Sequence, residues 1–400
     1  MQAASTNPTT RSGSVRTRID AVDVLRGIIM VLMALDHVRD FFGDLAVSPT
    51  NIATTTPALF FTRWVTHFCA PVFFLLTGAG ARLALSRRTR AELSRFLLTR
   101  GLWIVVLECT VARFLWQFNL DYHLLLVNVL WALGWSMIVL GVLVHLPPSV
   151  VGAIGVAMIA MHNLLDRVQP ASFGSLAPVW NILHVPGIIR PAAPTVFISY
   201  VLVPWIGVTA AGYALGGIYA WEPARRRAFL VRTGAALVAA FIVIRSTNLY
   251  GDPSRWSVQP TGTFTLLSFL NTSKYPPSLL YLLMTLGPAL LALRLFDRGT
   301  PAWLRPARII GAVPMFYYLG HIAVAHLFTV VLSLARYGTA RPMMESPTLD
   351  RFPITQPPGW PLSLPAIYGV WMLVVVVLYP ACRWYAGVKR RSRSPWLSYL

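Results

Sequence analysis

The sequence predicts an all-α fold, a polytopic transmembrane bundle of about ten helices with both termini in the cytoplasm, and three observations carry that expectation. The first is composition. Of the 400 residues 56% are hydrophobic and 12% charged, with mean hydropathy +0.60, too apolar for a soluble core of this length. The second is spacing. Ten apolar runs of near-membrane length recur between charged or Pro/Gly punctuation, at 22–42, 58–82, 98–119, 124–146, 149–165, 196–220, 228–246, 276–296, 308–334 and 364–386. The third is the placement of basic residues. Arg11, Arg16 and Arg18, then Arg87, Arg88, Arg90 and Arg95, then Arg225 to Arg227, then Arg298, Arg305 and Arg308, then Lys389 to Arg391 and Arg393 all fall on one side of a ten-span chain.

The connections on the opposite side, 43–57, 166–195, 247–275 and 335–363, are poorer in such clusters, and the longest of them predict short interfacial helices. The net charge of +20 is therefore topological and does not indicate a nucleic-acid partner. Cys69, Cys109 and Cys382 lie in or beside apolar runs without a CxxC spacing, so neither a disulfide framework nor a metal site is expected. Residues 1–17 are polar, rich in Ser and Thr, and precede the first apolar run without an A-x-A-like cleavage site. They read as a disordered cytoplasmic tail, followed by a membrane domain over 18–388 and a basic cytoplasmic tail over 389–400.

The first span carries ionisable residues where lipid-compatible ones are expected. Nine uncharged residues separate Arg26 from Asp36, and charges at intramembrane depth are costly enough to imply a task. Arg26 and His37 are eleven residues apart, which on an α-helix is three turns plus roughly 20°, so they share a face with a rise of roughly 16 Å between them. Asp23 falls on that face, whereas Asp36 points about 100° away from His37. His37 has the chemistry of a general base or an acyl carrier, set against a histidine bonded at the lipid–water boundary. Arg26 can hold a phosphate or simply pair with Asp23. Asp36 can orient a histidine, or form an interfacial charge cluster with Arg39 and Asp40.

The Arg-x10-His spacing opened by Asp23-Val-Leu-Arg-Gly27 resembles the start of membrane acyltransferases. Further along, His67-Phe-Cys-Ala-Pro-Val-Phe-Phe-Leu-Leu-Thr-Gly78, Arg100-Gly-Leu-Trp-Ile-Val-Val-Leu-Glu108, Lys274-Tyr-Pro-Pro-Ser-Leu-Leu-Tyr281 and Tyr379-Pro-Ala-Cys-Arg-Trp-Tyr385 extend the likeness over most of the chain. In this order they resemble the bacterial heparan-α-glucosaminide N-acetyltransferase-like integral membrane proteins and, more distantly, the acyltransferase-3 family. The resemblance implies an enzyme of the cytoplasmic (inner) membrane. It would move an acetyl or short acyl group from cytoplasmic acetyl-CoA or another acyl-CoA to an extracytoplasmic sugar or glycan, with no permanent cofactor. In the lysosomal-type enzyme the catalytic histidine lies in the loop after the first helix. No histidine stands between Val38 and Thr66 here, so the catalytic role passes to His37 on the acyltransferase-3 pattern.

The remaining candidates follow from position. His67 precedes Pro71 near the outer face and can serve as a second or orienting histidine. Arg100, which enters the membrane after the densest basic stretch, is with Arg26 the candidate for CoA phosphates. Lys274, beside Asn271, can bind an anionic acceptor group or a developing oxyanion, or merely anchor a helix end. His321, one turn after Tyr317, is a candidate for the acceptor site, as is Glu108. That mid-membrane carboxylate must be protonated or paired, within a buried network or as a proton relay. The alternative function from these residues is a proton-coupled small-molecule transporter, with Glu108, Arg113, His37 and Asp36 as the relay.

Overall fold

The computed structural model describes residues 19–190, 192–346 and 348–392. The expected tail at 1–17, and residues 393–400 of the expected C-terminal tail, lie outside them. The chain begins with α1 (Asp20–Phe42), which runs from an end carrying Arg26 to an end carrying His37. Next come α2 (Pro57–Thr66) and α3 (Cys69–Ala84), two nearly continuous pieces of one apolar passage. Thr56 caps α2 by accepting from the Leu59 amide at 3.2 Å, with Pro57 in the first turn, where its missing N–H costs nothing.

A Thr89–Glu92 capping box starts α4 (Arg90–Leu107), which continues through a π-helical turn at Glu108–Ala112 into α5 (Arg113–Gln117). There follow β1 (Leu124–Val127), α6 (Val129–Leu143), α7 (Pro148–Met161), α8 (Ala177–Leu183), β2 (Gly187–Arg190), β3 (Thr195–Ile198) and α9 (Leu202–Leu215). The chain then runs through α10 (Pro223–Thr247), α11 (Gly262–Leu270), α12 (Leu279–Phe296), α13 (Arg305–Gly311), α14 (Pro314–Tyr337) and α15 (Leu364–Arg391).

Each of the ten predicted runs falls on helix. Seven helical passages among the described residues are long and apolar enough to cross a membrane. The other three runs are α1 with its charges, the arginine-rich α4 leading into α5, and α6, which is only 15 residues long. The bundle is nearly all helical. The exception is a small sheet in the order β1-β3-β2, with β1 parallel and β2 antiparallel to β3. The runs predicted at 124–146 and 196–220 were expected to be helical from their first residues. Their openings, Leu124 to Val127 and Val196 to Ile198, instead pair as strands, because so short an apolar run carries no period that separates strand from helix. Of the expected interfacial helices, α8 and α11 lie in the long connections 166–195 and 247–275.

Among the described residues the basic clusters gather at the Arg26 end. Arg308 pairs with Asp20, Gly216 packs against Arg82, Arg226 stacks on Tyr219 and pairs with Asp297, and Lys389 shares a cavity with Arg26. Without a hydrophobic drive between helices in lipid, close packing needs small residues at the crossings. The α1–α13 crossing is the closest of those made at the described glycines. A Cβ on Gly27 would stand 1.7 Å from the Ala307 carbonyl oxygen, and one on Gly311 would stand 1.9 Å from that of Asp23. This crossing also seats Arg26, which donates to the Gly311 carbonyl at 3.1 Å. We expect Gly27→Leu to cost more than the roughly 1–3 kcal/mol of ordinary overpacking, because backbone must move. It should abolish the monodisperse peak in detergent size-exclusion chromatography, whereas Gly80→Ala, with nothing within 4 Å of its new Cβ, should leave it unchanged.

Candidate active site

At the His37 end, α1 and α14 bring two histidines together. His37 Nδ1 lies 2.7 Å from His321 Nε2, with the rings stacked at 4.9 Å, and His321 Nδ1 lies 2.8 Å from the Tyr317 carbonyl. These contacts assign the tautomers of a neutral pair. A carbonyl only accepts, so His321 carries its proton on Nδ1, and its Nε2 lone pair receives the Nδ1–H of His37. The free lone pair of His37 is then on Nε2. His37 is half-buried against the edge of Trp116, and it lines a cavity of about 490 Å³ with Tyr318 and, from the sheet, Leu126 and Phe197.

Asp36 turns away from His37, as the helix geometry predicts, and gathers cations. Arg39 donates to it at 3.0 Å and to Asp40 at 2.6 Å, Arg63 of α2 pairs with its other oxygen, and Lys274 Nζ stands 4.0 Å off. Three cations around two carboxylates leave this cluster with one net positive charge. Arg39, Asp40, Arg63 and Lys274 line both the His37 cavity and a second, adjoining one of about 790 Å³. His67 and Asn271 line that second cavity; Asn271 donates to the Thr50 carbonyl at 2.9 Å, and Tyr281 Oη donates to the His67 carbonyl at 2.7 Å. The partner that orients His37 is thus His321, with neither His67 nor Asp36 bonded to it.

The Lys274 segment is held rigidly. Asp252 accepts from the Ser273 amide at 2.9 Å and Ser278 Oγ at 2.6 Å, and Arg245 donates to the carbonyls of Ser268, Phe269 and Asn271. Burial pushes the Asp252 carboxyl up, and its hydrogen bonds from Ser278, Ser273 and Ser254 oppose that. Lys274 itself is 9% exposed, with its Nζ 4.0 Å from the Asp36 carboxylate and 5.2 Å from the centre of the Tyr275 ring.

At the other end, Arg26 and Arg100 meet in a third cavity of about 260 Å³, joined by Lys389 from α15. Arg26 also donates to Asp23 at 3.0 Å. Glu108 lines none of the three cavities: its Oε1 accepts the amide of Asn128, itself a wall residue of the His37 cavity, at 3.0 Å, which places a carboxyl group at the N-terminus of α6. Arg113 donates to the carbonyls of Asn119 and Asp121. The sequence reading missed Arg63, Trp116, Tyr318 and Lys389. Arg63 was findable, as a lone arginine inside an apolar run.

Residues 18–250 match the family model described as heparan-alpha-glucosaminide N-acetyltransferase, catalytic, which is more than half of the chain. No curated protein matches it. The matched part holds Arg26, Asp36, His37, His67, Arg100 and Glu108, whereas Asn271, Lys274 and His321 lie beyond it.

The charge cluster makes a testable demand. Removing one member of a buried pair strands the other, typically at about 3–5 kcal/mol, less where other cations remain. Arg63→Met should therefore lower the unfolding temperature of the detergent-solubilised protein, and adding Asp36→Asn to it should recover part of the loss. Strictly additive losses in this double-mutant cycle would show that the two residues are not coupled.

Proposed function

Because the chain belongs to the heparan-α-glucosaminide N-acetyltransferase family and is a multi-pass membrane N-acetyltransferase, we propose that it takes acetyl-CoA at its Arg26 end and delivers the acetyl group to a sugar amine or hydroxyl of an envelope glycan at its His37 end. The Arg26 end faces the cytoplasm in this reading, in keeping with the basic clusters gathered there. The membrane would be the cytoplasmic membrane of a bacterium. The observation that carries the proposal is the His37–His321 hydrogen bond, which leaves His37 Nε2 as an oriented lone pair in a cavity.

In the proposed reaction the acceptor nitrogen or oxygen attacks the thioester carbonyl, and His37 Nε2 removes the proton that the nucleophile loses. The imidazolium formed is stabilised by His321 Nε2, which accepts its Nδ1–H. Lys274 supplies positive charge where the tetrahedral oxyanion develops. Collapse breaks the carbon–sulfur bond, and the proton on His37 passes to the leaving thiolate. The products are the acetylated sugar and free CoA. Arg26 and Arg100 hold the CoA phosphates, with guanidinium forks suited to them. The second cavity, with His67 and Asn271, is the acceptor's approach.

A transporter would need Glu108, Arg113, Asp36 and His37 as one proton relay. Among the described residues Glu108 is bonded to an amide, and Arg113 to two carbonyls, so no specific observation favours that reading.

Two measurements test the proposal. With radiolabelled acetyl-CoA and purified protein, His37→Ala should lower turnover about 10²–10⁴-fold. His321→Ala should also lower it, and His321→Gln, whose amide oxygen can still accept from His37, should restore part of the rate. A covalent acetyl label on His37 would instead make that histidine an acyl carrier. In the second measurement, Arg26→Gln and Arg100→Gln should each raise KM for acetyl-CoA about 10–100-fold, the worth of one charged hydrogen bond of about 1.5–3 kcal/mol, with kcat little changed. An unchanged KM in both would remove the donor from this cavity.

A further inference from the structure

The cavity of Arg26 and the cavity of His37 lie end to end along the same helices. From α1 they take Arg26 and Met33, from α6 Leu133 and Leu130, and from α14 Met315 and Tyr318, in each pair the first residue lining the Arg26 cavity and the second the His37 cavity. The wall from α3 runs without a break. Ala70, Phe73, Thr77, Gly80 and Ala84 recur at three- and four-residue spacing, which is one helix face, with Cys69, Leu76 and Ala81 lining from its margins. Four of the side chains on that face are small, and a Cβ on Gly80 would meet nothing within 4 Å, so the face opens onto free volume. The exception is Phe73. It lines both cavities, no other described residue does so, and it is half-buried where its neighbour Phe74 is fully buried.

We propose that the two cavities are one shaft closed at a single side chain, Phe73, and that the donor's thioester arm reaches His37 by displacing this ring. The inference rests on the proposed acetyl transfer for the identity of the arm but not for the barrier. Phe73 is then a positioning and specificity residue. Its ring closes the shaft when no donor is bound, keeping water from one face off the base at the other. Against the extended arm it holds the thioester at the depth of His37. An aromatic ring on an otherwise small-residue face can swing about its χ1 and χ2 bonds without moving the helix, which suits a barrier that must open once per turnover.

The barrier is tested without enzyme activity. In a background with Cys69, Cys109 and Cys382 replaced by Ser, Ser199→Cys puts a thiol on the His37 cavity wall. A membrane-impermeant methanethiosulfonate is applied to sealed vesicles from the face bearing Lys389. With Phe73 present the thiol should stay unmodified; with Phe73→Ala it should react at least tenfold faster, and with Phe73→Trp it should again be protected. Equal labelling with Phe73, Ala and Trp overturns the proposal. The activity arm uses acetyl-CoA without acceptor: Phe73→Ala should raise thioester hydrolysis several-fold, because water then follows the donor. If labelling responds to Phe73 but no variant consumes acetyl-CoA, the barrier stands and the acetyl-transfer reading fails. If acetyl-CoA is consumed and labelling ignores Phe73, the transfer stands and the barrier fails.

Discussion

A charge inside an apolar bundle costs several kcal/mol unless it is paired and hydrogen-bonded, and α1 carries charges at both of its ends. Asp20 meets Arg308, Asp23 meets Arg26, which also donates to the Gly311 carbonyl, Asp36 meets Arg39 and Arg63, and His37 meets His321. The partners outside α1 come from α2, α13 and α14. Satisfying α1 therefore constrains where these three helices stand, and the glycine crossing at Gly27 and Gly311 sets how closely α13 approaches it. The cavities follow from this arrangement, because α1 is a wall of each.

Function in this account depends on keeping two chemistries apart along one axis. Arginine and lysine at one end suit phosphates. At the other, the histidine pair and the Asp36 cluster supply a base and an excess of positive charge. The small-residue face of α3 connects them, and the sheet of β1, β2 and β3 roofs the His37 cavity with Leu126 and Phe197. The backbone of the Lys274 segment is braced by Asp252 and Arg245, and its ammonium stands 4.0 Å from the Asp36 carboxylate.

Much of the scaffold was legible in the sequence because its signals are one-dimensional. Apolar runs, basic clusters and helical phase gave ten helical passages, the common face of Arg26 and His37, and the turn of Asp36 away from that face. Arg26 and Arg100 do share a cavity. The pairing of His37 with His321 was not legible, since 284 positions separate them and nothing on either helix names the other. Of the two roles open to Asp36, its bonds are those of the charge cluster with Arg39, and no bond joins His67 to His37. Glu108 read as a mid-membrane anomaly because its partner is the backbone of α6, and a backbone amide has no sequence signature. Phe73 was invisible for a related reason: one phenylalanine in an apolar run is ordinary until the cavities on either side of it are seen.

The most direct test of the account is a cryo-EM structure of the full chain with a thioether analogue of acetyl-CoA that cannot be cleaved. The account predicts phosphate density against Arg26, Arg100 and Lys389, and continuous density past a rotated Phe73, with the acetyl carbonyl carbon close enough to His37 for Nε2 to reach the attacking atom. Density confined to the His37 end, or an arm that leaves the bundle sideways into lipid, would contradict it.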